Sequence, residues 1–298
     1  MTTALLDELR RRYGIDAEVG ESLGGGYECD VFALTSDAGA LVVRVSPPWR
    51  TLGEVAWAYE LAAHAARTIP QAVAPLAARD GSRVFSFDSR PVALFPRVPG
   101  RTLDRDDPGE RDEAARLLAR LHCVLPAWPA ARPRPYNPRT PELAAARDAV
   151  VEPADAELDR FLADRAGAPS IRRVPLHGDF YRGNLLVEGG RITGLIDWDD
   201  SRVGSLESEL AWSTWELAQA PPPGDALDPE RTARFLAVYR DSGGPASPDP
   251  AVLVPLIRAN LRREVREAAR MRAAGAVPDD EYVARALRAF NALRAWSP

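Results

Sequence analysis

The sequence predicts an α+β molecule of two lobes, a mostly β lobe over residues 1–96 and a mostly α lobe over residues 97–298. Three observations predict it. Short apolar runs punctuated by glycine, proline and aspartate fill the first third, and apolar residues recur at helical spacing from there on. One hairpin pattern, "NLLVEGGRITGLIDW", stands as a β island in the helical part.

The elements follow in order. Leu5, Leu9 and Tyr13 at i+4 spacing predict a short first helix. In "ESLGGGYECDVFALTSDAGALVVRVSP", Gly24, Gly25 and Gly26 separate β-rich flanks, "SDAG" turns the chain between two further strands, and Pro47 and Pro48 stop the last one. Residues 53–67 are alanine-rich and helical, and "SRVFSFD" and "RPVALFPRV" read as strands. Beyond them Leu117, Leu121 and Leu125 share a helical face, with acidic residues at the start of that helix suiting its dipole. Proline clusters at 126–141, 221–229 and 245–250 mark loops, because periodic apolar segments resume after each, and the last 45 or so residues read as helical. No internal repeat is evident.

Composition narrows the functional classes. With 298 residues, of which 46% are hydrophobic and 27% charged, the chain can bury a large core, and no apolar run approaches the ~18 residues of a membrane span. Asp7, Glu8 and three arginines break any secretory h-region at the start, so a cytoplasmic protein with reduced Cys29 and Cys123 is expected. A net charge of −5 argues against a broad nucleic acid surface. All 38 basic residues are arginine, which excludes a Walker-type loop with its required lysine and hands every ammonium task to a guanidinium.

The segment "VPLHGDFYRGNLLVEGGRITGLIDWDD" carries the chemistry. Gly189 and Gly190 suit the positive φ angles of a two-residue type I′ turn, which would set Leu195 opposite Asn184. Asp179, Asn184 and Asp197 would then converge as a hard oxygen site of the kind Mg²⁺ accepts beside substrate phosphates. The bland reading is a solvated loop with a turn.

"LHGDFYRGNLLV" followed by "GLIDWDD" resembles the catalytic segment of the aminoglycoside phosphotransferase family, relatives of choline kinases and protein kinases. Upstream, "LGGGYECDVFAL" is similar to the family's nucleotide-covering hairpin, "LVVRV" to its third strand and "GEVAWAYELAAH" to its helix with a paired glutamate. "ALFPRVPGRTL", with Phe95 and Arg97, is similar to the hinge. The resemblance implies a bilobal protein-kinase-like fold, ATP and Mg²⁺ as cofactors, and a small-molecule hydroxyl as acceptor. It implies that Asp179 accepts the hydroxyl proton, that Asn184 and Asp197 hold the metal, and that His177 braces the loop. By the same resemblance Gly24, Gly25 and Gly26 cover the phosphates. Arg44 stands where relatives carry lysine, and Glu54 is its acidic partner, with Glu60 as the competitor. Glu209 replaces an aspartate that is read as structural.

The acceptor is open. Trp198, Trp212 and Trp215 with Asp200, Glu207, Glu209 and Glu216 could receive a cationic or ring-shaped ligand, although helical spacing makes a packed helix the stronger reading. Arg262, Arg266 and Arg270 line one helical face, either solvated with Glu264 and Glu267 as partners or turned to the cleft. Aminoglycosides and other antibiotics, homoserine and choline are the acceptors considered. Among rival functions, a metallophosphoesterase would need more histidines than His64, His122 and His177, and a non-catalytic pseudokinase would be expected to lack one of Asp179, Asn184 and Asp197.

Overall fold

The computed structural model describes residues 3–23, 29–129, 155–166, 168, 171–221, 224–247, 249–273 and 279–296. The expected glycine loop, Gly24 to Gly26, and most of the 126–141 proline cluster lie outside the described residues.

Helix α1 (Thr3–Tyr13) drops Leu5 and Leu9 onto a five-stranded sheet of order β1-β2-β3-β5-β4, formed by β1 (Ala17–Ser22), β2 (Asp30–Ser36), β3 (Gly39–Val45), β4 (Phe85–Phe87) and β5 (Arg90–Pro96). The period of two decides what β3 does. Leu41, Val43 and Val45 enter the core beneath α1, while Val42 and Arg44 take the opposite face. Between β3 and β4 runs α2 (Leu52–Ala66), started by a capping box in which Thr51 and Glu54 bond reciprocally. Its Val55, Trp57, Ala58, Tyr59, Leu61 and Ala62 belong to the same buried cluster as the helical lobe. Helix α2 therefore packs into the core of the helical lobe, while the sheet and α1 enclose a second, separate cluster.

A short β6 (Arg101–Thr102) opens the helical lobe, and α3 (Pro108–Val124) follows with Asp107 as N-cap and proline in its first turn. The predicted stripe of Leu117, Leu121 and Leu125 is fully buried. Then come α4 (Ala156–Ala166), β7 (Val174–Leu176), β8 (Leu185–Glu188), β9 (Arg191–Leu195), β10 (Arg202–Gly204), and helices α5 (Leu206–Ala218), α6 (Pro229–Asp241), α7 (Pro250–Ala273) and α8 (Asp280–Ala292). The hairpin is not a lone β island: β6 extends it into a three-stranded sheet, and β7 pairs with β10 in a second small one. Among the described residues no helix is long and apolar enough to cross a membrane.

The register of the hairpin also differs from the expected one. Gly189 (φ 58°) and Gly190 (φ 74°) make the tight turn, but Leu185, not Asn184, faces Leu195. A bulge between Leu186 and Val187 adds Thr193 to β9, whose hydroxyl donates to the Pro99 carbonyl at 2.6 Å. Asn184 still meets the end of the second arm, because its carbonyl accepts the Ile196 amide at 3.0 Å.

Candidate active site

The loop after β7 is held from three sides. His177 is fully buried, packs edge-on to Trp198, donates from Nε2 to the Ile196 carbonyl at 3.1 Å and accepts the Asp179 amide on Nδ1 at 3.3 Å. Burial lowers its pKa and keeps it neutral, the state those two bonds require. Gly178 is gripped at both ends. Its amide donates to Glu209 Oε1 at 2.5 Å and its carbonyl accepts from Arg202 Nη1 at 2.5 Å. The other Glu209 oxygen meets Nε2 of buried His122 at 3.1 Å, and His122 Nδ1 meets the Tyr239 hydroxyl at 2.7 Å. The longer acid at 209 thus ties the loop to α3 and α6 at once.

Asp179 follows directly. Asn184 Nδ2 donates to its carbonyl at 2.9 Å and to its Oδ2 at 3.0 Å, which fixes the carboxylate's orientation. Burial, then Asp200 and Asp197, push the Asp179 carboxyl up to about 7. Asp197 adopts the left-handed region at φ 60°, rare for a residue with a side chain, and its carboxylate is 40% exposed. Asp179, Asn184 and Asp197 are brought together as expected, although the register that does it is shifted by one.

Arg44 reaches this site, but not through Glu54. Its Nη1 and Nη2 both donate to Asp197 Oδ1 at 3.1 Å, and Nη2 also donates to Asp199 Oδ2 at 3.1 Å. Cys29 lies beside the same guanidinium, with its Sγ 3.4 Å from Nη2. The expected Arg44–Glu54 pair is replaced because Glu54 Oε2 accepts the Thr51 amide and hydroxyl, each at 3.0 Å. Glu60 is no substitute; it faces Arg83 at the surface.

The hinge residues differ from expectation as well. Phe95 packs edge-on against Tyr59 in the core, and the Arg97 guanidinium pairs with Glu21. The Arg97 amide donates to Ala40, so antiparallel alternation turns the Pro96 carbonyl and Val98 amide to the edge away from β3. Sequence reasoning also missed Arg50, whose Nη1 donates to the Asp199 carbonyl at 3.1 Å and Nη2 to Asp200 Oδ1 at 3.3 Å, and it missed Arg202. Neither leaves a local signal, since each partner is distant in sequence.

Trp198, Trp212 and Trp215, considered as candidates to receive an acceptor, are core residues. Burial pushes the Glu216 carboxyl up to about 7 against the pull of Arg105, Arg285 and Arg182, and the same carboxylate raises that of Asp179. Arg262 does not lie on a solvated face. It is buried and pairs with Asp159 of α4 at 2.7 Å.

For a divalent ion the donor set is suitable but incomplete. Carboxylates and an amide are hard donors, yet among the described residues no group of three or more His, Cys, Asp or Glu is poised to hold a metal alone. Phosphate oxygens would have to complete the shell, which is the usual habit of Mg²⁺.

A β lobe above a helical lobe, with these acids gathered in the loops of the second, defines a protein-kinase-like phosphotransferase fold. The chain belongs to the phosphotransferase enzyme family, whose sequence profile matches residues 19–256. A homoserine kinase of Pseudomonas aeruginosa is 30% identical over 176 residues, covering 55% of this chain and 53% of that protein, so the match spans about half of that relative's length. A homoserine kinase of Cupriavidus taiwanensis is 28% identical over 260 residues, covering 80% of this chain and 77% of its own. Among solved structures, a microcompartment-associated aminopropanol kinase superposes with TM-score 0.68 at 18% identity, covering 98% of this chain and 97% of that one. An amicoumacin kinase in complex with AMP-PNP and Ca²⁺ gives 0.65 at 14% identity, covering 97% and 92%.

Proposed function

We propose that the protein transfers the γ-phosphate of ATP to a hydroxyl of a small molecule. The observation that carries this reading is the convergence of Asp179, Asn184 and Asp197 with a β-lobe arginine, Arg44, directed at the same point. Asp179 would accept the acceptor's hydroxyl proton, and a carboxyl near neutrality is well matched to that task. Asn184 orients it, and Asn184 with Asp197 would hold Mg²⁺. When bound, that ion neutralises charge on the transferring phosphate. Arg44 would contact the phosphates, the loop with Gly24 to Gly26 would cover them, and the Pro96 carbonyl and Val98 amide offer an edge for the base in place of the side chains of Phe95 and Arg97. A boundary between lobes at residues 96 and 97 and a cytoplasmic site of action, where ATP is available, go with this reading.

The acceptor reading favoured is a small metabolite alcohol bearing both charges, of the homoserine type. The homoserine kinase relatives support it, as does the mixture of Glu216 with Arg105, Arg182 and Arg285 near Asp179. Aminoglycosides and other antibiotics are the second reading, supported by structural neighbours such as a macrolide 2′-phosphotransferase of Brachybacterium faecium. An ATP-consumption screen over homoserine, aminopropanol, choline, aminoglycosides and macrolides tests both. Turnover on homoserine or aminopropanol supports the first, turnover on an antibiotic alone the second, and no turnover on any alcohol refutes phosphoryl transfer.

A further inference from the structure

We infer that Asp199, rather than the helix glutamate Glu54, positions Arg44 for the nucleotide phosphates. The inference rests on the proposed role of Arg44 as phosphate contact. Glu54 is already committed. Its carboxylate is buried, turned back on Thr51, and closes the capping box that starts α2. Pulling it toward Arg44 would unmake that cap.

Arg44 instead forks across two aspartates, and the two differ in a way that divides their work. The Asp199 side chain is 7% exposed and that of Asp197 is 40% exposed, while Arg44 itself is 14% exposed. A carboxylate open to the cleft can exchange a guanidinium for another cation at little desolvation cost, whereas a walled-in one is out of reach of a solvent cation and keeps the guanidinium that already faces it. Asp197 is therefore the oxygen that can be handed to a metal ion, and Asp199 the one that keeps Arg44 in place. The segment carrying Asp199 is fixed in turn by Arg50, which donates to the Asp199 carbonyl and to Asp200 Oδ1 from just before α2. The geometry also explains the guanidinium at 44. Nη2 bridges the two carboxylates while Nη1 keeps a second bond to Asp197, a three-point hold that fixes the plane of the side chain as a rotating ammonium would not.

One consequence is mechanical. The phosphate contact is set by how β3 meets residues 197–200 of the helical lobe, so closure of the lobes aims Arg44 and displacement of α2 does not.

Calorimetric titration of ADP into the full chain tests this, comparing wild type, Asp199→Asn, Glu54→Gln and Asp197→Asn, each in EDTA and in Mg²⁺. Asp199→Asn is expected to weaken metal-free ADP binding by about tenfold or more, the worth of a charge-assisted hydrogen bond. Glu54→Gln should lower the melting temperature while changing ADP affinity less than twofold, and Asp197→Asn should abolish the Mg²⁺-dependent gain. A double-mutant cycle guards against misfolding: in the Arg44→Ala background, Asp199→Asn should add no further loss. A loss from Asp199→Asn seen only with Mg²⁺ would make Asp199 a metal ligand and overturn the inference. So would a metal-free loss in Glu54→Gln as large as that in Asp199→Asn. A wild type that binds no nucleotide defeats the kinase reading itself, and this inference with it.

Discussion

Gly178 sits where a side chain has no room. At φ 91° it is in the left-handed region, and a Cβ built there would lie 2.0 Å from the Asp200 carbonyl oxygen, so the loop before Asp179 and the loop after Asp197 touch backbone to backbone. Gly178→Ala is expected to destabilise the protein by roughly 3 kcal/mol or more, measured by denaturant unfolding, because both loops would have to part. Glu209→Asp, a change to the residue that the family resemblance led one to expect, should also be harmful here. A side chain one methylene shorter cannot reach both the Gly178 amide and His122, and about 1 to 3 kcal/mol of stability should be lost in the same assay. Asp179→Asn should instead leave ADP affinity nearly unchanged and cut turnover by roughly 10² to 10⁴, the worth of a positioned base; equal loss of ADP affinity would remove Asp179 from that role. Much of this site was legible in the sequence. Asp179, Asn184 and Asp197 lie within one short segment, where spacing and a glycine pair limit the geometry. The partners of Arg44 were not legible, because Asp199 is 155 positions away and no local pattern encodes which of several acids a guanidinium will meet.

At the scale of elements, legibility followed the strength of the local period. Helix α3 and its leucine stripe were readable because seventeen residues repeat the 3.6 pattern and Asp107 with Pro108 marks the start. Strand β4 shrank to Phe85–Phe87, and β6, β7 and β10 went unread, since two or three residues hold no period and owe their pairing to distant partners. The one-residue error in the hairpin had a specific cause: Thr193 finds an acceptor on Pro99, ninety-four positions earlier, and takes up the bulge. Helix α2 shows the converse case, where a local signal outweighed a family expectation. "TLGE" is a capping box in sequence, and that local bond won Glu54 from Arg44. Thr51→Ala should therefore lower stability by about 1 kcal/mol in thermal or chemical unfolding.

At the scale of the whole molecule, burial of acids in the cleft should register as a dependence of stability on pH. Glu216 is the cleanest probe because it lies apart from the residues assigned to the metal. It is faced by Arg105, Arg285 and Arg182, which favour its charged form, and by Glu264, which opposes it, yet burial prevails and the carboxyl rises from 4.5 to about 7. Arg105, the strongest of these counter-charges, is held by Gln219 Oε1 just past the end of α5 at 2.7 Å. A folded-state pKa above the unfolded one means that the native protein binds the extra proton between those values. Stability from this group is then full below about pH 4.5, falls as pH rises toward 7, and is lost above that. Glu216→Gln keeps the shape and removes the titration, so its advantage over wild type should be near zero at pH 4.5 and grow to about 2 kcal/mol by pH 8, allowing for partial solvation. Paired melting curves from pH 4.5 to 8 measure the difference. A constant offset across that range would mean that Glu216 ionises in the folded protein as it does in the unfolded chain, and that the arginines around it neutralise the cleft after all.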